Sequence, residues 1–309
     1  MDSIDQVILN FSEESLFMLN LSLGFIMFGV AINLRISDFL RVIKNPKSAL
    51  AGIISQFLLL PALTYLLILT FQPKPSFALG MMLVSACPGG NISNFMSSMA
   101  KGNAALSVSL TAVSSSLSIF MTPFNLAFWA GMYAPTANIL TEVNLDFWSM
   151  FKTISLLLII PIILGMLLRK YKPKLADRLH PVMHYSSILI FAAIVIMAFR
   201  ANFDVFLTYI HLVIFLVLIH NAAALTLGYQ VARIFRLKSE DRRSIAIETG
   251  IQNSGLGLIL IFSFFNGLGG MAVVAAWWGI WHIISGLSLS YFWSRSSILA
   301  SSKISNLNR

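Results

Sequence analysis

The run Ile247-Glu248-Thr249-Gly250-Ile251-Gln252-Asn253-Ser254-Gly255-Leu256-Gly257 sets one carboxylate among amides, hydroxyls and glycines inside an apolar stretch of membrane length. Glu248 is the one acid of 12 so placed; the others fall at the termini or between apolar stretches. A bare carboxylate in hydrocarbon costs at least several kcal/mol, so it persists only where a proton, a cation or a buried partner neutralises it. No Lys or Arg lies within the run. A second polar run, Cys87-Pro88-Gly89-Gly90-Asn91-Ile92-Ser93-Asn94, interrupts another apolar stretch, and Ser107 and Thr111, four apart, share a helix face in the stretch that follows. Gln56, just before Pro61, is a further amide in apolar surroundings. Hard monovalent cations are bound by several oxygens and need no nitrogen or sulfur. Ser93, Asn94, Ser107, Thr111, Gln56 and Gln252 around Glu248 supply such a set. A hydroxyl in a membrane helix also bonds its own backbone or a neighbouring helix, and that reading is assigned to Ser114, Ser115, Ser116 and Ser118, as it is to the histidines at 211 and 220.

Positioning these groups is the work of membrane helices. Of the 309 residues 57% are hydrophobic and 11% charged, far below the quarter or so of a soluble domain. The net charge of +9 is spread in short clusters between apolar stretches, where it acts as a topology signal and not as a nucleic-acid surface. The single cysteine, Cys87, rules out a disulfide framework, and the acidic residues at 2, 5, 13 and 14 are of the wrong sign for a cleaved secretory signal.

Nine spans are predicted, near 17–34, 48–71, 77–99, 104–132, 148–168, 182–199, 205–231, 244–265 and 271–292. Eighteen of the 21 basic residues then fall on one side, leaving Lys74, Lys152 and Arg200 on the other. The positive-inside rule puts the N-terminus outside and the C-terminus in the cytoplasm. The third and eighth spans carry the two polar runs, and non-helical backbone is tolerable there only where protein or a water-filled cavity covers it. Paired interruptions of this kind point to the binding site of a secondary transporter; five spans separate them, so two such units would be inverted.

The blocks at 87–94, at 101–111 (Lys-Gly-Asn-Ala-Ala-Leu-Ser-Val-Ser-Leu-Thr) and at 248–255 closely resemble the bile acid:sodium symporter family, over about residues 17–292. The resemblance implies an all-α integral membrane fold of inverted repeats, with a panel domain (about 17–71 and 148–199) and a core domain (about 77–132 and 205–292). Two broken core helices would cross at the sodium sites. The segment 1–16 would be external and 293–309 a cytoplasmic tail. The first helix of the family's ten-helix form is expected to be absent, which agrees with nine spans. The resemblance implies a first sodium at Ser93, Asn94, Ser107, Thr111 and Glu248. A second is implied at Gln56, Gln252, the Glu248 side chain and the backbone carbonyls of Thr249 and Ile251. Substrate is implied near Asn91, Asn253 and His282. Some bacterial relatives have Asn after that histidine, where this chain has Ile283.

The expectation is a sodium-coupled importer of an organic anion in the bacterial inner membrane, taking two sodium ions per substrate by alternating access, with no nucleic-acid partner and with protein partners left open. A bile-acid-like molecule or a small carboxylate such as pantoate or a keto acid fits. Proton coupling through Glu248 needs only the carboxylate and leaves the surrounding amides and hydroxyls unexplained. A non-translocating sensor would use the same site. Hydrolysis is disfavoured, because no Asp lies in a span and no Gly-x-Ser-x-Gly run occurs.

Overall fold

A computed structural model describes residues 4–9, 13–143 and 146–307. The far N-terminus and the last two residues, named in the expectations for the external segment and the tail, lie outside the described residues. Among the described residues the regular structure is helical, with two isolated bridges, Ile8 to Leu268 and Gly89 to Gln252. The first apolar stretch forms α1 (Glu13–Ala31), and a second helix, α2 (Ile36–Lys44), leaves it at 67°. Next come α3 (Pro46–Ile54) and α4 (Leu60–Phe71), joined through a π-helical turn at Ser55–Leu59 into one span, Pro46–Phe71. Then follow α5 (Pro75–Ala86), α6 (Ile92–Met99), α7 (Ala104–Gly131), the short α8 (Ala134–Glu142) and α9 (Phe147–Tyr171). The chain closes with α10 (Pro173–Ala201), α11 (Phe203–Ile234), α12 (Ser239–Gly250), α13 (Ser254–Phe264) and α14 (Gly269–Leu307).

Five of these spans are long and apolar enough to cross a bilayer alone, and six are if α1 and α2 count as one bent span. The apolar α5 and α13 are too short alone, because each belongs to one of the two interrupted stretches. The connections near 36–44 and 134–142, read from sequence only as links, carry helices of their own.

The helices pack in two groups that also meet each other through α7 on α9 and α13 on α1. α1 lies along α9 and α10, while α11 packs on α12 and α14, and α5 on α7 and α14. The span Pro46–Phe71 was expected to group with α1; its partners are instead α5, α7, α11 and α12. The reason is chemical, since its polar side chains satisfy themselves there. Pro61 has no N–H and cannot bond the carbonyl four residues back. That carbonyl, of Phe57, accepts from Asn125 Nδ2 of α7 at 3.0 Å. Thr64 Oγ1 lies 2.7 Å from His220 Nε2 of α11, which is the helix-bound histidine the sequence suggested. In the other group, Arg169 Nε donates to the Ile32 carbonyl at 2.6 Å, closing the end of α1, and its guanidinium also pairs with Asp177. Asp146 caps α9 by accepting from the backbone of Ser149 at 2.8 Å and from its hydroxyl at 2.7 Å; these bonds hold its carboxyl below the usual carboxylate range.

Candidate functional site

Both polar runs end helices. α5 stops before Cys87 and α12 after Gly250, and the chain resumes as helix only at Ile92 and Ser254. The two gaps meet. Gly90 N donates to the Ile251 carbonyl at 2.6 Å and Asn253 N to the Pro88 carbonyl at 2.9 Å, and Gly89 and Gln252 form an antiparallel bridge. Backbone groups that helix breaking would strand in the membrane therefore satisfy each other. The two glycines allow the approach: a Cβ on Gly90 would sit 3.0 Å from the Gln252 carbonyl oxygen, and one on Gly89 would run into the Glu248 carboxylate.

Around that crossing the predicted side chains gather into three sets. Glu248, 3% exposed, accepts from Ser93 Oγ at 2.6 Å and Ser107 Oγ at 3.4 Å on Oε2, and from Thr111 Oγ1 at 2.7 Å on Oε1. Thr111 Oγ1 also lies 3.2 Å from Asn94 Oδ1. All the partners of this carboxylate are thus hydroxyls, and none is Lys or Arg.

The second set is built on amides. Gln56, which the π-helical turn aims inward, donates through Nε2 to Gln252 Oε1 at 2.9 Å and to the Cys87 carbonyl at 2.8 Å. Gln252 Nε2 in turn donates to the Thr249 carbonyl at 2.6 Å and to Gln56 Oε1 at 3.3 Å. Of the backbone oxygens named from sequence, that of Thr249 is in this set, and that of Ile251 accepts the Gly90 N–H.

The third set faces a cavity of about 330 Å³ between the crossing and α1. Asn91, Asn253 and His282 all line it, together with Asn94 and Gln252. Asn253 also caps α13, its Oδ1 accepting from Leu256 N at 3.0 Å. The starts of α6 and α13 thus both open onto this cavity. Its other wall is apolar along Leu23, Ile26 and Val30 of α1, with Asn33 and His180 of α10 beyond.

Sequence reading missed Asn33 and His180, because nothing local marks a helix end as the wall of a distant cavity. It also missed Asn221, whose Nδ2 donates to the Gly250 carbonyl at 2.7 Å and whose Oδ1 accepts from Ser285 Oγ at 2.6 Å. An amide in the middle of an apolar span was a signal of the same kind as Gln56, and it stood beside His220 unused.

A buried carboxylate ringed by hydroxyls and amides where two broken membrane helices meet defines a multi-pass membrane transporter, not an enzyme. The chain belongs to the sodium bile acid symporter family, whose profile matches residues 20–209. It is 32% identical over 308 residues to the uncharacterized sodium-dependent transporter YocS of Bacillus subtilis, covering 97% of this chain and 92% of that protein. It is 30% identical over 282 residues to the probable chloroplastic sodium/metabolite cotransporter BASS2 of Oryza sativa subsp. japonica, covering 91% of this chain and 65% of the plant protein. The probable cotransporter BASS1 of the same plant is 30% identical over 272 residues, covering 88% of this chain and 64% of the relative. The chain therefore spans just under two thirds of the plant proteins' length.

Proposed function

We propose that the chain is a symporter that uses two sodium ions to import an organic anion by alternating access. The observation that carries this reading is the convergence of Ser93, Ser107 and Thr111 on the buried carboxylate of Glu248, with Asn94 beside Thr111 and no basic side chain bonded to the carboxylate among the described residues. Each hydroxyl that donates to the carboxylate keeps lone pairs for a cation, so a sodium ion supplies the missing charge at no cost to the existing bonds. A second ion is assigned to Gln56, Gln252, Glu248 and the carbonyls of Thr249 and Ile251. There the amides already bond one another, and binding exchanges those bonds for amide-oxygen contacts with the ion. Such bonds are worth about 1 kcal/mol net each, so the second site is the weaker.

The anion is assigned to the cavity at Asn91, Asn253 and His282. Two helix N-termini opening on one cavity favour negative charge, and two sodium ions against one carboxylate leave the loaded site positive. The mostly apolar opposite wall suits a carboxylate with an apolar body. α1, α9 and α10 form the panel in this reading; Pro46–Phe71 joins the core because its contacts lie there. The core shifts against the panel, and the positive-inside count places the N-terminus outside in a bacterial inner membrane.

The test is uptake of small carboxylates, pantoate and keto acids among them, into sealed proteoliposomes under an imposed sodium gradient, with potassium at equal ionic strength as control. Sodium-driven uptake with net inward charge for a monovalent anion is expected. Uptake that follows a proton gradient and ignores sodium would give the site to proton coupling, and sodium binding without flux would make the protein a sensor.

A quieter prediction concerns Asn221. Asn221→Leu leaves the Gly250 carbonyl without its partner, and a buried unsatisfied group costs about 1–3 kcal/mol. Because Gly250 lies between the carbonyls of Thr249 and Ile251, half-saturation by sodium is expected to rise about tenfold. Titrating sodium against melting temperature reads this shift, and an unchanged midpoint sinks it.

A further inference from the structure

α2 takes part in neither the cation site nor the cavity. It carries Ile36, Leu40 and Ile43 at the i, i+4, i+7 spacing that aligns side chains along one helix face. These three are 60%, 48% and 72% exposed. Packing on α7 and α3 leaves Phe39 and Val42 half-buried, so only part of the apolar surface is covered by protein. Lys44, four residues on from Leu40, borders the stripe with Arg41 beyond it, Arg35 and Lys47 flank the helix, and all four are exposed. The one acid, Asp38, is turned back on the chain, accepting from Arg35 N at 2.9 Å. The 67° bend from α1 turns this helix well off the α1 axis, so with α1 spanning the bilayer it lies nearer the membrane plane.

An apolar stripe beside a basic face, on a helix tilted out of the spanning direction, fits a membrane interface. We propose that α2 is an interfacial helix that sinks Ile36, Leu40 and Ile43 into the acyl boundary and binds anionic phospholipid headgroups through Arg35, Arg41, Lys44 and Lys47. A protein partner is the poorer fit, because α2 is held between two spanning helices, where lipid already surrounds the chain. As the link between α1 and α3, the helix tethers both packed groups to one leaflet. The proposal stands apart from sodium coupling and from the identity of the anion.

The test uses the intact protein in nanodiscs of phosphatidylcholine, with or without phosphatidylglycerol. Cys87 is fully buried, so a thiol-reactive spin label reports on an introduced cysteine. Labels at Ile36→Cys and Ile43→Cys are expected to be reached by oxygen and shielded from a water-soluble nickel chelate, and a label at Ser37→Cys to be open to the chelate. Lipid retained after purification is expected to be enriched in phosphatidylglycerol, and that enrichment to fall about fivefold for each charge removed among Arg41→Gln, Lys44→Gln and Lys47→Gln. The proposal is overturned if labels at 36 and 43 are as open to the chelate as at 37. It is equally overturned if removing the charges leaves the lipid preference unchanged. Both readouts apply to folded protein, which size-exclusion elution establishes.

Discussion

Replacing Glu248 with Gln is expected to abolish the response to sodium while leaving a folded protein. The substitution keeps the shape: Ser93 and Ser107 can donate to the amide oxygen at the place of Oε2, and Thr111 Oγ1 can accept from the amide nitrogen at the place of Oε1. What is lost is the charge. A sodium ion held by neutral oxygens in a low-dielectric interior has nothing to offset its own desolvation, and that cost amounts to several kcal/mol. A ligand at a hundred times its dissociation constant stabilises the folded state by about 2.7 kcal/mol. The wild-type protein should therefore melt higher in sodium than in potassium at equal ionic strength, and the Gln variant should melt alike in both. Uptake driven by sodium should vanish with it. If the Gln variant still discriminates the two cations, the ion does not sit on this carboxylate. If the wild type fails to discriminate them, the symport reading itself fails.

Gly89→Ala should approach the same loss without touching a ligand. A Cβ at this position would press on the Glu248 carboxylate, and the backbone of Gly89 is pinned by its bridge to Gln252. The side chain of Glu248 must then swing off Ser93 and Thr111. Overpacking of this kind costs about 1–3 kcal/mol, and here the penalty falls on the oxygens assigned to the proposed cation. Half-saturation by sodium is expected to rise at least about tenfold. Gly24→Ala serves as control, since nothing lies within 4 Å of the Cβ it would add. A Gly89→Ala protein with wild-type sodium dependence would show that the carboxylate position is not set by this contact.

Some of this was legible because a bilayer makes polarity conspicuous. In hydrocarbon every amide, hydroxyl or carboxylate must have a reason, so Glu248, Gln56, Ser107 and Thr111 stood out individually, and the Pro/Gly runs marked where the helices stop. Partners were another matter. Gln56 and Gln252 bond each other across a separation of 196 residues, and Asn125 takes the carbonyl that Pro61 frees 68 residues before it. Polarity announces that a group needs a partner without saying which one. Asn221 was passed over for that reason, and Pro46–Phe71 was grouped with its sequence neighbour α1 although its polar contacts lie with α5, α7 and α11.

By its sequence alone the chain determined its class, its interruptions and the residue types of its buried polar cluster, because each of these follows from the local cost of placing polar groups and broken backbone in a membrane. The tertiary structure alone decided that the two interruptions hydrogen-bond to each other, that two helix N-termini open on one cavity with α1 as its far wall, and that Asn221 holds the Gly250 carbonyl. These are relations between segments far apart in the chain, and they are set by which packing satisfies all the buried groups at once.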